Sequence, residues 1–472
     1  MEENRRALQL GDISEVTRAR HLAWLAYNLV FHDQRGERRA AADEAAAAAA
    51  STGDLESRIV ADVTLALLDC GDGYAGRSVG RLEELCTFAR TSDATAARDF
   101  AAIHYAMLLA VVGRLDEAAA RVADGTEQAR RAGNAMVLDL WATMDGLVHL
   151  AAGRLSAARA AAESLPRPQQ NAVTEPDMVR MVILAEVAAR TDDRTLLQQM
   201  VNDARDAYST GSSVVRWVAA HVLTLAAWQR GDVQDAMRWL GGITRFGSPL
   251  WPQVLDRVIL GARVASAAGD AGLRARVLQA TDLLERERPA IPLFTGVAGY
   301  ARGILERDAR ALLAAAELLH LSSRPLLYAA AAEDAGGELA RTDHPDKALD
   351  ELSAAFDTYM EHEALADARR VGRVLRRLGV ERRIVGHPRA KTGWDSLTDS
   401  ELKVVHLIAD GATNSVVAQQ LYLSPHTVKT YLRNAFAKLG INSRAELTQL
   451  MLGSDEPTSE NPPAPNYPHV RP

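Results

Sequence analysis

Three stretches decide the fold: AVVGRLDEAAARV at residues 110–122, LAAGRLSAARAAA at 150–162 and WQRGDVQDAMRWL at 228–240. Each carries a small or apolar segment into a glycine, follows it with charged residues, and has an alanine five residues after the glycine (Ala118, Ala158, Ala236). Related copies start at Gly36 (GERRAA), Gly80 (GRLEEL), Asp193 (DRTLLQ), Asp270 (DAGLRA), Asp308 (DARALL) and Asp343 (DHPDKA). The nine starts, at 36, 80, 113, 153, 193, 231, 270, 308 and 343, lie 44, 33, 40, 40, 38, 39, 38 and 35 residues apart. A period of about 38 fits two antiparallel helices and two short turns. The glycine is expected to end the first helix in a left-handed conformation. The residues after it open the second, where Leu115, Ala118, Ala119 and Val122 fall on one face. Alanine on that face lets helices approach closely.

These features predict an all-α chain: a tetratricopeptide-like α-solenoid of eight or nine helix pairs over residues 10–375. Composition agrees. Of 472 residues 48% are hydrophobic and only 5% aromatic, with abundant Ala, Leu and Arg, which lose little rotamer freedom in a helix. The net charge of −7 gives no global sign of a nucleic-acid binder, so any DNA function must be local. Cys70 and Cys86 are too few for a disulfide framework or a zinc knuckle, which points to a reducing, cytoplasmic setting. The start, MEENRRALQLGD, lacks an apolar signal region, and no 18-residue apolar run follows, so no membrane partner is expected. The five lysines are Lys347, Lys391, Lys403, Lys429 and Lys438. The 346 residues before them therefore hold no P-loop, no Schiff-base lysine and no receiver domain.

The repeats carry no catalytic constellation. Trp217, Trp228, Trp239 and Trp251 cluster within about one repeat, and read as helix packing before a stacking site for a ligand. His104 and His149 read as packed or surface residues. The run Ala45 to Ala50 reads as one more helix. Ser400-x-x-Lys403 and Lys391-Thr392-Gly393 match acyl-serine signatures, but in the wrong order and context. No metal or cofactor site is expected, and an enzyme is the weakest reading.

Residues 369–391 hold nine basic residues against Glu381 alone. A helix is expected to stop at Gly379, with 376–393 serving as a basic linker that could attract phosphate. Residues 394–453 then read as four short helices. Thr398 to Glu401 and Ser443 to Glu446 are capping boxes; Asn414 caps a helix over 415–421; Ser424, followed by Pro425, caps another that Gly440 ends. The second and third form a helix-turn-helix, whose recognition helix, 425–439, enters the major groove. Helical spacing turns Val428, Leu432, Ala435 and Leu439 inward, and His426, Lys429, Thr430, Arg433 and Ala437 outward. The outward set has donors suited to phosphates and guanine edges. Lys429, Thr430 and Arg433 are the candidates for base contacts. Asn414, Ser424, Thr427 and Lys438 would position the DNA backbone. The proline-rich residues 454–472 cannot bury a core and are expected to be a disordered tail.

Trp394, Leu397, Thr398, Glu401, Ala409, Gly411, Asn414, Ala418, Leu421, Ser424, Thr427, Val428, Lys429, Lys438, Leu439 and Arg444 together resemble the DNA-binding domain of the LuxR family of transcriptional regulators. The resemblance implies a dimer on a two-fold related DNA site, with residues 443–452 in the dimer contact. It also implies DNA contacts from Thr427 and Lys429, and a structural role inside the domain for Glu401. Departures stand at Ser400, Ser415, Val416 and Tyr431. Across 394–453 five basic residues balance five acidic ones, so much of the nonspecific affinity is expected from the connector and from dimerisation.

The repeats preceding this module resemble the C-terminal half of the large ATP-binding LuxR subfamily, which includes a maltotriose-activated regulator. That implies a platform for a small-molecule or protein ligand. The leading expectation is a sequence-specific regulator, a homodimer on double-stranded DNA controlled through its repeats. The competing one is an interaction scaffold with a degenerate C-terminal dimerisation module.

Overall fold

A computed structural model describes residues 2–10, 12–31, 35–89, 95–166, 175–241, 252–342, 344–382, 399–409, 411–421, 425–441, 443, 444, 446 and 447. The chain divides into two compact units, Met1–Ile384 and Val385–Pro472. Both are all-α, with no strand among the described residues.

The first unit begins with α1 (Glu2–Gln9), α2 (Glu15–Val30), α3 (Arg35–Thr52), α4 (Leu55–Gly71), α5 (Ala75–Ala89), α6 (Thr95–Val111) and α7 (Leu115–Ala132). It continues through α8 (Ala135–Ala151), α9 (Leu155–Ser164), α10 (Glu175–Thr191), α11 (Arg194–Thr210), α12 (Ser213–Gln229), α13 (Val233–Gly241) and α14 (Gln253–Ala268). It ends with α15 (Ala271–Leu284), α16 (Pro292–Glu306), α17 (Ala309–His320), α18 (Pro325–Arg341), α19 (Pro345–Glu361) and α20 (Leu365–Arg377). From α2 to α19 these make nine pairs. Each helix packs on its sequence neighbours, and from α2 to α16 each even-numbered helix also packs on the next even one. The even helices thus form one layer of an α-solenoid and the odd helices the other.

The turn between the two helices of a pair sets the register. Its left-handed residue is Gly73, Gly113, Gly153, Asp192, Gly231, Gly269 and Arg307 in successive pairs. Those positions are 40, 40, 39, 39, 38 and 38 residues apart, a tighter period than the sequence pattern suggested. Two expected starts are corrected by it. Gly36 lies inside α3 and Gly80 inside α5, and the break that Gly80 was expected to make falls at Gly73. Asp193, Asp270 and Asp308 are each one residue late for a different reason: they are N-caps. Their carboxylates accept the backbone N–H of Leu196 (3.0 Å), Leu273 (2.6 Å) and Ala311 (3.2 Å). This satisfies donors at a helix start that have no partner within the helix. The alanine five residues past the turn glycine behaves as expected: Ala118, Ala158 and Ala236 are fully buried. The largest buried side chain, Trp141, lies flat against α7 at Gly125, where a Cβ would sit 2.2 Å from the indole.

The solenoid also folds back on itself. Turns following even helices of the first half meet turns following odd helices about 210 residues later. The Glu287 carboxylate accepts the N–H groups of Ala75 (2.6 Å) and Gly76 (2.9 Å) at the start of α5. Ser323 Oγ donates to the Gly113 carbonyl at 2.5 Å. His362 Nδ1 donates to the Gly153 carbonyl at 3.2 Å and Ser156 bonds Glu363; over a shorter span of 177 residues, Arg369 of α20 pairs with Asp192. Close approach explains glycine at two of these turns beyond their φ of +88° and +71°. A Cβ on Gly113 would lie 3.0 Å from Leu293, and one on Gly153 3.0 Å from His362.

Candidate nucleic-acid interface

The second unit contains α21 (Asp399–Ala409), α22 (Asn414–Gln420) and α23 (Pro425–Leu439), and Arg444, Glu446 and Leu447 are again helical. Its core is Val404, Val405, Ile408, Val417, Ala418, Val428, Leu432, Ala435, Ile441 and Leu447, all buried. Gly411 (φ +89°) and Gly440 (φ +68°) end α21 and α23 as the sequence predicts. Ser443 also behaves as expected, its Oγ accepting the Glu446 N–H at 3.2 Å. The cap of α22 is corrected: Thr413, not Asn414, accepts the Val416 N–H, at 3.3 Å. The Asn414 amide oxygen instead accepts from Arg444 Nη2 at 2.6 Å, and Arg444 Nη1 donates to the Ala412 carbonyl at 3.3 Å. Arg444 therefore braces the start of α22 from the turn after α23. On the opposite side, Lys438 Nζ reaches the buried Glu401 carboxylate at 2.6 Å and ties α23 to α21.

Residues 395–451 match the family described as "Bacterial regulatory proteins, luxR family". This unit is a LuxR-family helix-turn-helix domain. Over 56 residues, 12% of the chain, it is 46% identical to a nitrate/nitrite response regulator protein homolog of Haemophilus influenzae, covering 27% of that protein. Over 51 residues, 11% of the chain, it is 47% identical to the monoamine regulon transcriptional regulator of Klebsiella aerogenes, covering 22% of that protein. A longer match, 28% identical over 302 residues, covers 63% of this chain and is to an HTH-type transcriptional regulator of Mycobacterium tuberculosis. This chain spans only 28% of the length of that relative.

Within the LuxR-family domain the inward set holds: Val428, Leu432 and Ala435 are buried and Leu439 is partly so. Lys429 and Arg433, one turn apart on α23, are exposed, and among the described residues neither shares an ion pair. The backbone of His426, Thr427 and Thr430 lies in α23, while Ser424 and the first capping residue, Thr398, lie outside the described residues. So do most of the 376–393 linker, the 454–472 tail and the end of the fourth helix. Asn414 and Lys438 have partners within the domain: exposed Arg444 and buried Glu401. The sequence reading did not assign Arg444 its bracing role. The signal was Asn414 itself, an amide that Thr413 relieves of capping.

The repeat unit offers a second polar site, on the layer of even helices. Glu186 and Arg190 of α10, His221 of α12, Asp256, Arg257 and Arg263 of α14, Glu333 and Asp334 of α18, and Asp367 and Arg370 of α20 converge there. His221 Nε2 meets Glu186 at 2.9 Å, Arg370 bridges Glu333 (2.6 Å) and Asp367 (2.7 Å), and Arg324 meets Asp256 at 2.6 Å. Arg190 stands within 3.7 Å of Glu186, Asp256 and Asp367. Burial works against the Glu186 carboxylate, yet the His221 hydrogen bond and the Arg190 charge hold it below the usual range. Burial also brings Arg257 down to about 9, still protonated at neutral pH; its guanidinium lies 3.6 Å over the Trp217 ring. The cleft between these groups measures about 70 Å³. Small-molecule pockets run to roughly 300–1,000 Å³, so this cleft is sized for a few waters. Of the tryptophan cluster, Trp217 stacks on Arg257, Trp239 meets Tyr208 edge-on at 5.2 Å, Trp228 lines this cleft, and Trp251 lies outside the described residues. Among the described residues no His/Cys/Asp/Glu group could hold a metal, and no helix is long and apolar enough to cross a membrane.

Proposed function

We propose that the chain is a sequence-specific DNA-binding transcriptional regulator that acts as a homodimer, with α23 in the major groove and control exerted through the helical repeats. The observation that carries this reading is the division of α23 into a buried apolar face and an exposed face bearing Lys429 and Arg433. Lysine supplies a point charge for phosphate or a guanine edge, and arginine a bidentate fork. In this reading Lys429, Thr430 and Arg433 contact bases, while His426, Thr427 and Ser424 lie along the backbone. Asn414 and Lys438 act indirectly: Asn414 orients α22 through Arg444, and Lys438 fixes α23 on α21. A two-fold operator, and a signal that changes packing or self-association of the repeats, would couple two domains on one duplex by effective concentration.

Selection from a randomised duplex pool with the full chain tests the reading. An inverted repeat should be enriched, and Arg433→Ala should relax preference at one position per half-site by about 1–3 kcal/mol. Enrichment without symmetry removes the dimer. Failure of the full chain to enrich any sequence, with or without added ligand, moves the scaffold reading ahead.

A further inference from the structure

The last helix of the repeat unit carries a charge pattern that its packing does not use. On α20 the buried residues are Asp367, Ala368, Val371, Gly372 and Leu375. At about 100° per residue, Arg369, Arg373, Arg376 and Arg377 lie within an arc of about 100° on the opposite side. Arg370, between the two faces, is spent on Glu333 and Asp367, and Arg369 on Asp192. Arg373, Arg376 and Arg377 are exposed, and among the described residues none of them shares an ion pair. Other exposed arginines of the unit, Arg18, Arg154 and Arg216 among them, also share no ion pair among the described residues; on α20 three such groups stand on one face.

We infer that this arginine face of α20 is a second DNA-contacting surface, which binds the phosphate backbone of duplex DNA without reading its sequence. The inference rests on the DNA-binding reading above and extends it to the repeat unit. Three arguments support it. The first is charge complementarity: three unpaired guanidinium groups on one solvated face suit a row of phosphates. The second is need: residues 394–453 carry as many acids as bases, so the helix-turn-helix has little nonspecific attraction of its own. The third is covalent continuity. α20 is the final helix before residue 385, where the unit bearing Lys429 and Arg433 begins, so DNA held by one surface is at raised concentration for the other.

The test compares the full chain with the variant Arg373→Gln/Arg376→Gln/Arg377→Gln on a mixed-sequence duplex of about 40 base pairs, across a salt series. Losing three phosphate contacts should make the log–log salt slope shallower by about 2.7, so the variant should lose about 40-fold less affinity between 50 and 200 mM salt. The corresponding triple lysine variant should keep the wild-type slope, which a purely structural role would not predict. Circular dichroism should show all three proteins equally helical. An unchanged slope in the glutamine variant overturns the inference. If selected-site binding is then still lost in Lys429→Ala/Arg433→Ala, the helix-turn-helix reading survives and only the α20 surface falls. If the wild-type chain binds no duplex at any salt, both readings fall.

Discussion

Lys438 decides between two uses of a lysine in a DNA-binding helix, and Lys438→Met separates them. The ammonium lies 2.6 Å from Glu401, whose side chain is 5% exposed, while the lysine itself retains 31% exposure. Removing one member of a fully buried pair costs about 3–5 kcal/mol, mostly because the remaining charge is stranded. Here the lysine side lets water reach the vacated site, so we expect about 2 kcal/mol. That corresponds to about a 30-fold loss of amide protection in α21 and α23, measured by hydrogen exchange on the full chain. Glu401→Gln/Lys438→Met also neutralises the carboxylate and should recover about half of the loss. The DNA salt slope should be unchanged, whereas loss of one phosphate ligand would make it shallower by about 0.9. If Lys438→Met leaves exchange within threefold of wild type and flattens the salt slope by about 0.9, Lys438 is a phosphate ligand. The assignment of it as an internal tie would then be wrong.

Glu287→Gln should destabilise the repeat unit by about 2–4 kcal/mol, because an amide accepts through one oxygen only and turns a donor toward the second N–H; an unshifted urea midpoint would contradict this. Gly113→Ala should cost more than Gly231→Ala. Both pay about 1–2 kcal/mol for a left-handed backbone, but only the first pushes a Cβ against Leu293. Equal urea midpoints for the two would show that the turns do not press together. Acid should weaken the N-terminal repeats through His104. Burial lowers its pKa to about 4, its Nδ1 donates to the Phe100 carbonyl at 2.7 Å and its Nε2 accepts from Tyr27 at 3.0 Å, so the neutral ring is fully used. The unfolded chain takes up this proton near pH 6.5 and the folded one only near 4. Stability from this group is therefore full above about 6.5 and falls by about 3 kcal/mol as pH drops to about 4. The urea midpoint of His104→Gln should fall less over that window than the wild type's, and parallel curves would exclude His104 as the cause.

The helix-turn-helix was legible because its punctuation is local. Gly411, Pro425, Gly440 and the Ser443–Glu446 box act within a turn of where they stand, and the 3.6-residue period alone sorts Val428 from Lys429. Thr413 and Asn414 show the limit, since both are good caps and only the position of Arg444 decides between them. The repeats were legible in kind but less so in register. Where the left-handed position is held by Asp192 or Arg307, there is no glycine to mark it, and the eye settles on the capping aspartate one residue later. The charged cluster from Glu186 to Arg370 had no sequence signal. Its members come from helices spread over about 185 residues, and the packing of α20 against α10 brings its two ends together.

The contacts across about 210 residues change how this solenoid holds its shape. In a linear array each repeat touches only its neighbours, so ends fray one repeat at a time and the elastic response is that of an open spring. Here Glu287, Ser323, His362 and Glu363 bond the first half of the unit through the residues around Gly73, Gly113 and Gly153. Those bonds fix the pitch of the coil, so the repeats from α4 to α19 cannot be extended without releasing turns several repeats away. Mechanically the unit is a closed ring of constraints whose stiffness is shared around the loop. A force or ligand acting at α4 or α5 would be felt at α15 and α16 directly, without passing through the nine helices between them.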